Sequence, residues 1–118
     1  MTEFPRTTVG GVSLSRLIAG TNWFLGYSHT SAAKDRFIRE FMTRERVADI
    51  LTVFLQSGVD AVMGMPVPML SGAIEDAQNR TGRKMHLILT PTFNIKPGGA
   101  PEADPEPVFD RCKELGAT

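Results

Sequence analysis

Apolar positions along the chain change their spacing several times, and each change marks an element. Arg6-Thr7-Thr8-Val9 and Val12-Ser13-Leu14-Ser15 flank Gly10-Gly11. That dipeptide supplies the positive φ angles of a two-residue turn, so residues 6–15 are expected to form a hairpin. Leu17-Ile18-Ala19 reads as a short buried strand ended by Gly20. From Ser31 to Met42, Ala33, Phe37, Ile38 and Phe41 fall at helical spacing and predict a short helix. Thr43 is placed to cap the next one, with Glu45 in its first turn, where the helix dipole favours an acid. Val47, Ile50, Leu51, Phe54 and Leu55 make the clearest stripe in the chain, and Gly58 stops it.

Val59 to Met63 is a second buried strand, broken by Gly64-Met65-Pro66. Leu70, Ala73, Ile74 and Ala77 form the next helical stripe, closed by Asn79-Arg80-Thr81-Gly82. Met85 to Thr90 is the third main strand, apolar on both faces in its middle, as in a covered parallel sheet. The Pro- and Gly-rich residues 94–104 read as a long loop. Asp104 is placed to cap a last helix that starts at Pro105, carries Val108, Phe109, Cys112 and Leu115 on its apolar face, and ends at Gly116.

Twice a helix closes on Gly and leads directly into a buried strand, in QSGVDAV and in RTGRKMHLIL; the third closure, LGAT, has no strand after it. Repetition of this kind is the pattern of successive βα units, whose crossovers are right-handed by default. The expected fold class is therefore α/β, a partial TIM (βα)8 barrel in one domain over residues 1–118. Its parts are the hairpin at 6–15 and about three βα units over 16–118. A whole barrel needs about 250 residues, so the chain is expected to be the opening part of a longer one.

Composition narrows the function classes. The 118 residues are 42% hydrophobic and 22% charged, ordinary values for a globular domain. No apolar run approaches the roughly 20 residues that cross a bilayer, and MTEFPRTTVGG has no secretory core, so a cytoplasmic location without membrane partners is expected. Thirteen basic residues balance thirteen acidic ones, which leaves no general field for polyanions. The densest basic stretch, Arg39 to Arg46, interleaves acids and reads as solvated helix surface rather than as a nucleic-acid site. The single cysteine, Cys112, has no disulfide partner and lies on an apolar helix face, the position of a buried structural thiol.

The phrase Val12-Ser13-Leu14-Ser15-Arg16-Leu17-Ile18-Ala19-Gly20-Thr21 resembles the opening of the aldo-keto reductases, a TIM-barrel superfamily that begins with a hairpin on the barrel floor followed by a V-S-x-L-x-x-G-T phrase. The helix from Val47 to Gly58 and the following lead into a strand are similar to the family's first barrel helix, and the order of elements follows the family from Arg6 to about Phe93. The resemblance implies the barrel fold and relation to nicotinamide-dependent oxidoreductases. It also implies loss of the activity. The family needs an Asp and a Tyr after strand two, a Lys after strand three and a His after strand four. Here the corresponding positions hold Met63-Gly64-Met65-Pro66 and Thr90-Pro91-Thr92, and the last lies beyond Thr118. Because the family holds its cofactor mainly on later strands and loops, no cofactor is expected on this chain.

Barrel sites lie at the carboxyl ends of the strands. Thr21, Asn22 and Trp23 after strand one, with Thr90 and Thr92 after strand three, are therefore the candidate ligand-binding rim. Asn22 is suited to orient a substrate oxygen and Trp23 to wall a pocket; the alternative is that Asn22 and the threonines satisfy loop backbone while Trp23 packs. His29, in Gly26-Tyr27-Ser28-His29-Thr30, is the histidine nearest that rim and with Tyr27 is a candidate for proton transfer. His86 lies inside a strand. Two histidines and scattered acids show no metal-ligand spacing. Neither Gly10-Gly11 nor Gly98-Gly99 belongs to a phosphate-loop motif.

Three parallel strands with helices on one side leave a sheet face and edges to cover, so a homo-oligomer is expected. Two functions stay open. One is a TIM-barrel fragment related to oxidoreductases and inactive as this chain; the other is a self-contained oligomeric α/β module that binds a small molecule or a protein partner without catalysis.

Overall fold

Positive φ at both Gly10 (55°) and Gly11 (80°) closes a hairpin of β1 (Arg6–Val9) and β2 (Val12–Ser15), paired antiparallel with Val9 opposite Val12. The computed structural model describes residues 3–91 and 106–118. Thr92, the loop at 94–104, and the predicted cap and first position at Asp104 and Pro105 lie outside the described residues.

A second sheet is parallel and ordered as the chain runs: β3 (Ala19–Gly20), β4 (Ala61–Gly64) and β5 (His86–Leu89). Ala19 pairs with Val62, and Val62 with Leu87. The crossovers hold α1 (Asn22–Leu25), α2 (Ala32–Phe41) and α3 (Arg44–Gln56) after β3, and α4 (Pro68–Thr81) after β4. A last helix, α5 (Glu106–Glu114), follows β5.

α2, α3, α4 and α5 form where the patterning predicts helices, α1 is a short helix that no periodicity marked, and local chemistry sets their ends. Ser31 Oγ accepts from Lys34 N–H, and Thr43 Oγ1 from Arg46 N–H, so both caps satisfy donors that the first turn would leave open. Gly82 (φ 66°) closes α4 in the left-handed conformation, its N–H donating to Gln78 O. The core lies between α3, α4 and one sheet face: Val47, Leu51, Leu55, Leu70 and Val62 are fully buried there, with Ala19 and Leu87 beside them. Side chains alternate along a strand. Met63, next to Val62, therefore belongs to the other face, and it is 38% exposed.

Three local expectations differ. Leu17 and Ile18 are exposed rather than buried, and the strand is Ala19–Gly20, so Gly20 lies inside it. Residue 16 turns away to follow the hairpin, Arg16 N–H donating to Pro5 O, which leaves pairing with β4 to begin at Ala19. Of the α2 stripe only Ile38 is buried; Phe37 and Phe41 stack on each other at 5.4 Å in solvent. The Arg39–Arg46 stretch is exposed apart from half-buried Met42, as expected, but it spans the end of α2 and the start of α3 rather than one helix face, and its arginines make surface contacts: Arg39 donates to Gly26 O, Arg44 to Asp76, and Arg46 covers the Phe41 ring.

The fold class is α/β, and no closed barrel forms among the described residues. The hairpin sits at the amino ends of the parallel strands, where Ser15 and Arg6 bond to Asp60, the residue before β4. Cys112 is buried, as its place on the α5 stripe predicts. Thr118 lies against the outer edge of β5, its N–H donating to Leu87 O and its Oγ1 accepting from Leu87 N–H. No helix among the described residues is long and apolar enough to cross a membrane.

Candidate functional site at the carboxyl ends of the strands

β3, β4 and β5 run the same way, so the residues that follow each of them converge at one end of the sheet. A cavity of about 460 Å³ opens there, lined by Asn22 and Trp23 after β3, Met63, Gly64 and Met65 at the end of β4, and Thr90 after β5.

The two threonines hold this rim together. Thr21 is buried and its Oγ1 donates to Met63 O at 2.9 Å, tying the end of β3 to β4. Thr90 does the same between β5 and β4, its N–H and Oγ1 both donating to Gly64 O. Glycine is required at 64 by space: a Cβ there would collide with Thr21 Oγ1 and come within 2.9 Å of Leu70 Cδ2.

Asn22 and Trp23 open the short helix α1, which is nucleated by Thr21 O accepting from Phe24 and Leu25 N–H and ended by Gly26 (φ 86°). Trp23 is 53% exposed, and Lys34 Nζ stands 5.2 Å from the centre of its ring, a cation–π contact. Asn22 Nδ2 lies 3.2 Å from His29 Nε2. An amide NH2 only donates, so Nε2 accepts, and the neutral imidazole keeps its proton on Nδ1. Asn22 Oδ1 is left as an acceptor beside the cavity.

His29 adopts φ 59°, the one non-glycine positive φ among the described residues. Its neighbours enforce this: Ser28 N–H and Oγ both donate to Asp35 Oδ1, and Thr30 Oγ1 joins the same Ser28 hydroxyl. The two Ser28 bonds hold the Asp35 carboxyl below its usual range, with the charge of Arg39 adding to the effect.

The sequence-predicted residues thus separate. Thr21, Asn22, Trp23 and Thr90 come together. His29 does not line the cavity and reaches its margin through Asn22. Tyr27 lines a different hollow with Phe24, Leu25 and Met42, where Arg39 stacks 5.8 Å from its ring centre, so a Tyr27–His29 proton relay is not assembled. Met63, Met65 and Lys34 were not singled out by sequence, although Met63-Gly64-Met65 stands at a strand end, the position at which barrel sites form. Among the described residues no group of three or more His, Cys, Asp or Glu side chains gathers to hold a metal ion. No family model, curated protein or solved structure matches the chain.

Proposed function

We propose that this chain is a small-molecule-binding unit of the βα-barrel kind, related to the aldo-keto reductases but without their proton-transfer chemistry, with its ligand at the carboxyl ends of β3, β4 and β5. The observation that carries this is the cavity between Trp23, Asn22, Met63 and Met65 at that end. Sequential strand order, α3 and α4 packed on one sheet face, and a hairpin at the amino ends all fit the opening of a barrel better than a doubly wound sheet, whose strand order reverses. The rim offers thioethers, an indole and an amide, and no acid or phenol to move a proton. Its ligand has an apolar body against Trp23 and the methionines and a hydroxyl or amide donor for Asn22 Oδ1. A second copy of the chain covers the sheet face that exposes Met63.

Trp23 is the one tryptophan in the chain, so its fluorescence reports this site directly. Titration with a panel of small apolar molecules that carry one hydroxyl or amide, and separately with NADPH as the contrasting ligand, tests the proposal. At least one is expected to quench saturably, with Asn22→Ala raising the half-saturation concentration tenfold or more. Saturable NADPH binding at micromolar concentration, or quenching indifferent to Asn22→Ala, would overturn it.

A further inference from the structure

The amino ends of the same strands carry a second cavity of different chemistry. It measures about 350 Å³ and lies between the N-terminal arm and the loops that lead into β4 and β5, with Arg6, Asp60, Arg83, Lys84 and His86 on its wall. Arg6 and Asp60 are committed to each other at 2.8 Å, and Asp60 also accepts from Ser15 N–H. The other two cations are not neutralised. Arg83 Nη1 donates to Leu55 O, an uncharged partner, and neither Arg83 nor Lys84 makes an ion pair among the described residues. Two adjacent positive charges on one concave wall repel each other and favour an anion between them.

His86 adds a second, independent observation. Its Nδ1 is shut off from water and has no hydrogen-bond partner among the described residues. A buried N–H without an acceptor is rarer and costlier than a bare ring nitrogen. The neutral ring therefore carries its proton on Nε2, and any polar contact it makes with an occupant is made as a donor. The uncommitted groups on this wall are thus an ammonium, the remaining guanidinium N–H groups and one imidazole N–H. Glu3, an exposed residue that also lines the cavity, is the opposing charge.

We propose that this cavity binds a phosphate-type oxyanion, free or as the phosphoryl group of a small molecule, through Arg83, Lys84 and His86 Nε2–H. A dianion offsets both unpaired cations, which a single carboxylate does not. The proposal is independent of the site at the carboxyl ends, because the two cavities lie at opposite ends of the strands.

The test is a two-dimensional NMR titration of the whole chain with inorganic phosphate, and separately with acetate, at ionic strength held constant with chloride. Phosphate is expected to shift the Arg83 and Lys84 amides and the His86 imidazole saturably, with half-saturation in the low millimolar range, while Asn22 and Trp23 stay still. Arg83→Gln combined with Lys84→Gln should weaken binding at least tenfold with amide dispersion unchanged, and Glu3→Gln should tighten it severalfold. Shifts that grow linearly, that acetate or chloride reproduces, or that survive the double substitution would overturn the assignment. Shifts of the Lys84 amide without any at the His86 ring would remove the imidazole from the site and overturn the proposal in this form.

Discussion

Ser15 and Asp60, 45 residues apart, hold each other through two hydrogen bonds: Ser15 N–H donates to Asp60 Oδ1 at 2.9 Å, and Asp60 N–H donates to Ser15 Oγ at 3.1 Å. With Arg6 on the other carboxylate oxygen, this exchange fastens the hairpin to the start of β4. Burial pushes the Asp60 carboxyl upward, but the hydrogen bonds from Arg6 and Ser15, with the charge of Arg6, outweigh it and leave it below its usual value. A carboxylate lowered on folding stabilises above its unfolded value, and that contribution fades as pH falls toward the folded one. Asp60→Asn should therefore cost about 1–3 kcal/mol at neutral pH, and the gap to the parent should shrink on acidification below pH 4. Urea denaturation across pH checks this; a gap independent of pH would refute it.

Gly64 is predicted to be intolerant of any side chain. Gly64→Ala drives a methyl into Thr21 Oγ1 and Leu70, an overpacking that should cost about 1–3 kcal/mol. Because Thr21 bonds to Met63 O beside it, Trp23 emission should shift as well. Thermal unfolding and an emission spectrum of the same sample decide it.

His29 holds a backbone conformation that glycine adopts freely. His29→Gly is expected to be neutral or to stabilise by up to ~1 kcal/mol, while removing the partner of Asn22 Nδ2 and weakening ligand binding at the carboxyl-end cavity. Stability and affinity moving the same way would contradict the assignment of His29 as a positioning residue for Asn22.

Ser71 Oγ donates to Leu115 O at 2.6 Å and joins α4 to the end of α5. Ser71→Ala should cost about 1 kcal/mol and accelerate amide exchange from Cys112 to Thr118 more than in α3. Uniform acceleration across the chain would mean that α5 does not open separately.

Met63 on the open sheet face tests self-association. If a second copy covers that face, light scattering finds a dimer or larger species, and Met63→Glu shifts it to monomer without lowering the melting temperature by more than a few degrees. A parent chain that is already monomeric would remove that part of the proposed function.

Much of the architecture was legible because it depends on short-range chemistry. Gly10-Gly11 specifies its turn through φ alone, and Ser31 and Thr43 cap helices with their own side chains. The stripes of Val47, Leu51 and Leu55, and of Leu70, Ala73, Ile74 and Ala77, match the buried faces of α3 and α4. The same periodicity failed at Phe37 and Phe41, since spacing states which residues share a face and not whether another element covers it. In the site, strand ends were readable, so Thr21, Asn22, Trp23 and Thr90 were found. The destinations of their polar atoms were not.

By itself the sequence determined the alternation of strands and helices, the places where the chain turns, and the set of residues at strand ends, all consequences of local conformational preference and hydrophobic period. Only tertiary structure decided that Tyr27 turns to Arg39 while His29 turns to Asn22, that Met63 and Met65 wall the cavity, and that Arg83, Lys84 and His86 share another at the opposite end. The reason is physical: hydrogen bonds and close contacts between residues tens of positions apart depend on the register and packing of whole elements, and no local pattern encodes those distances.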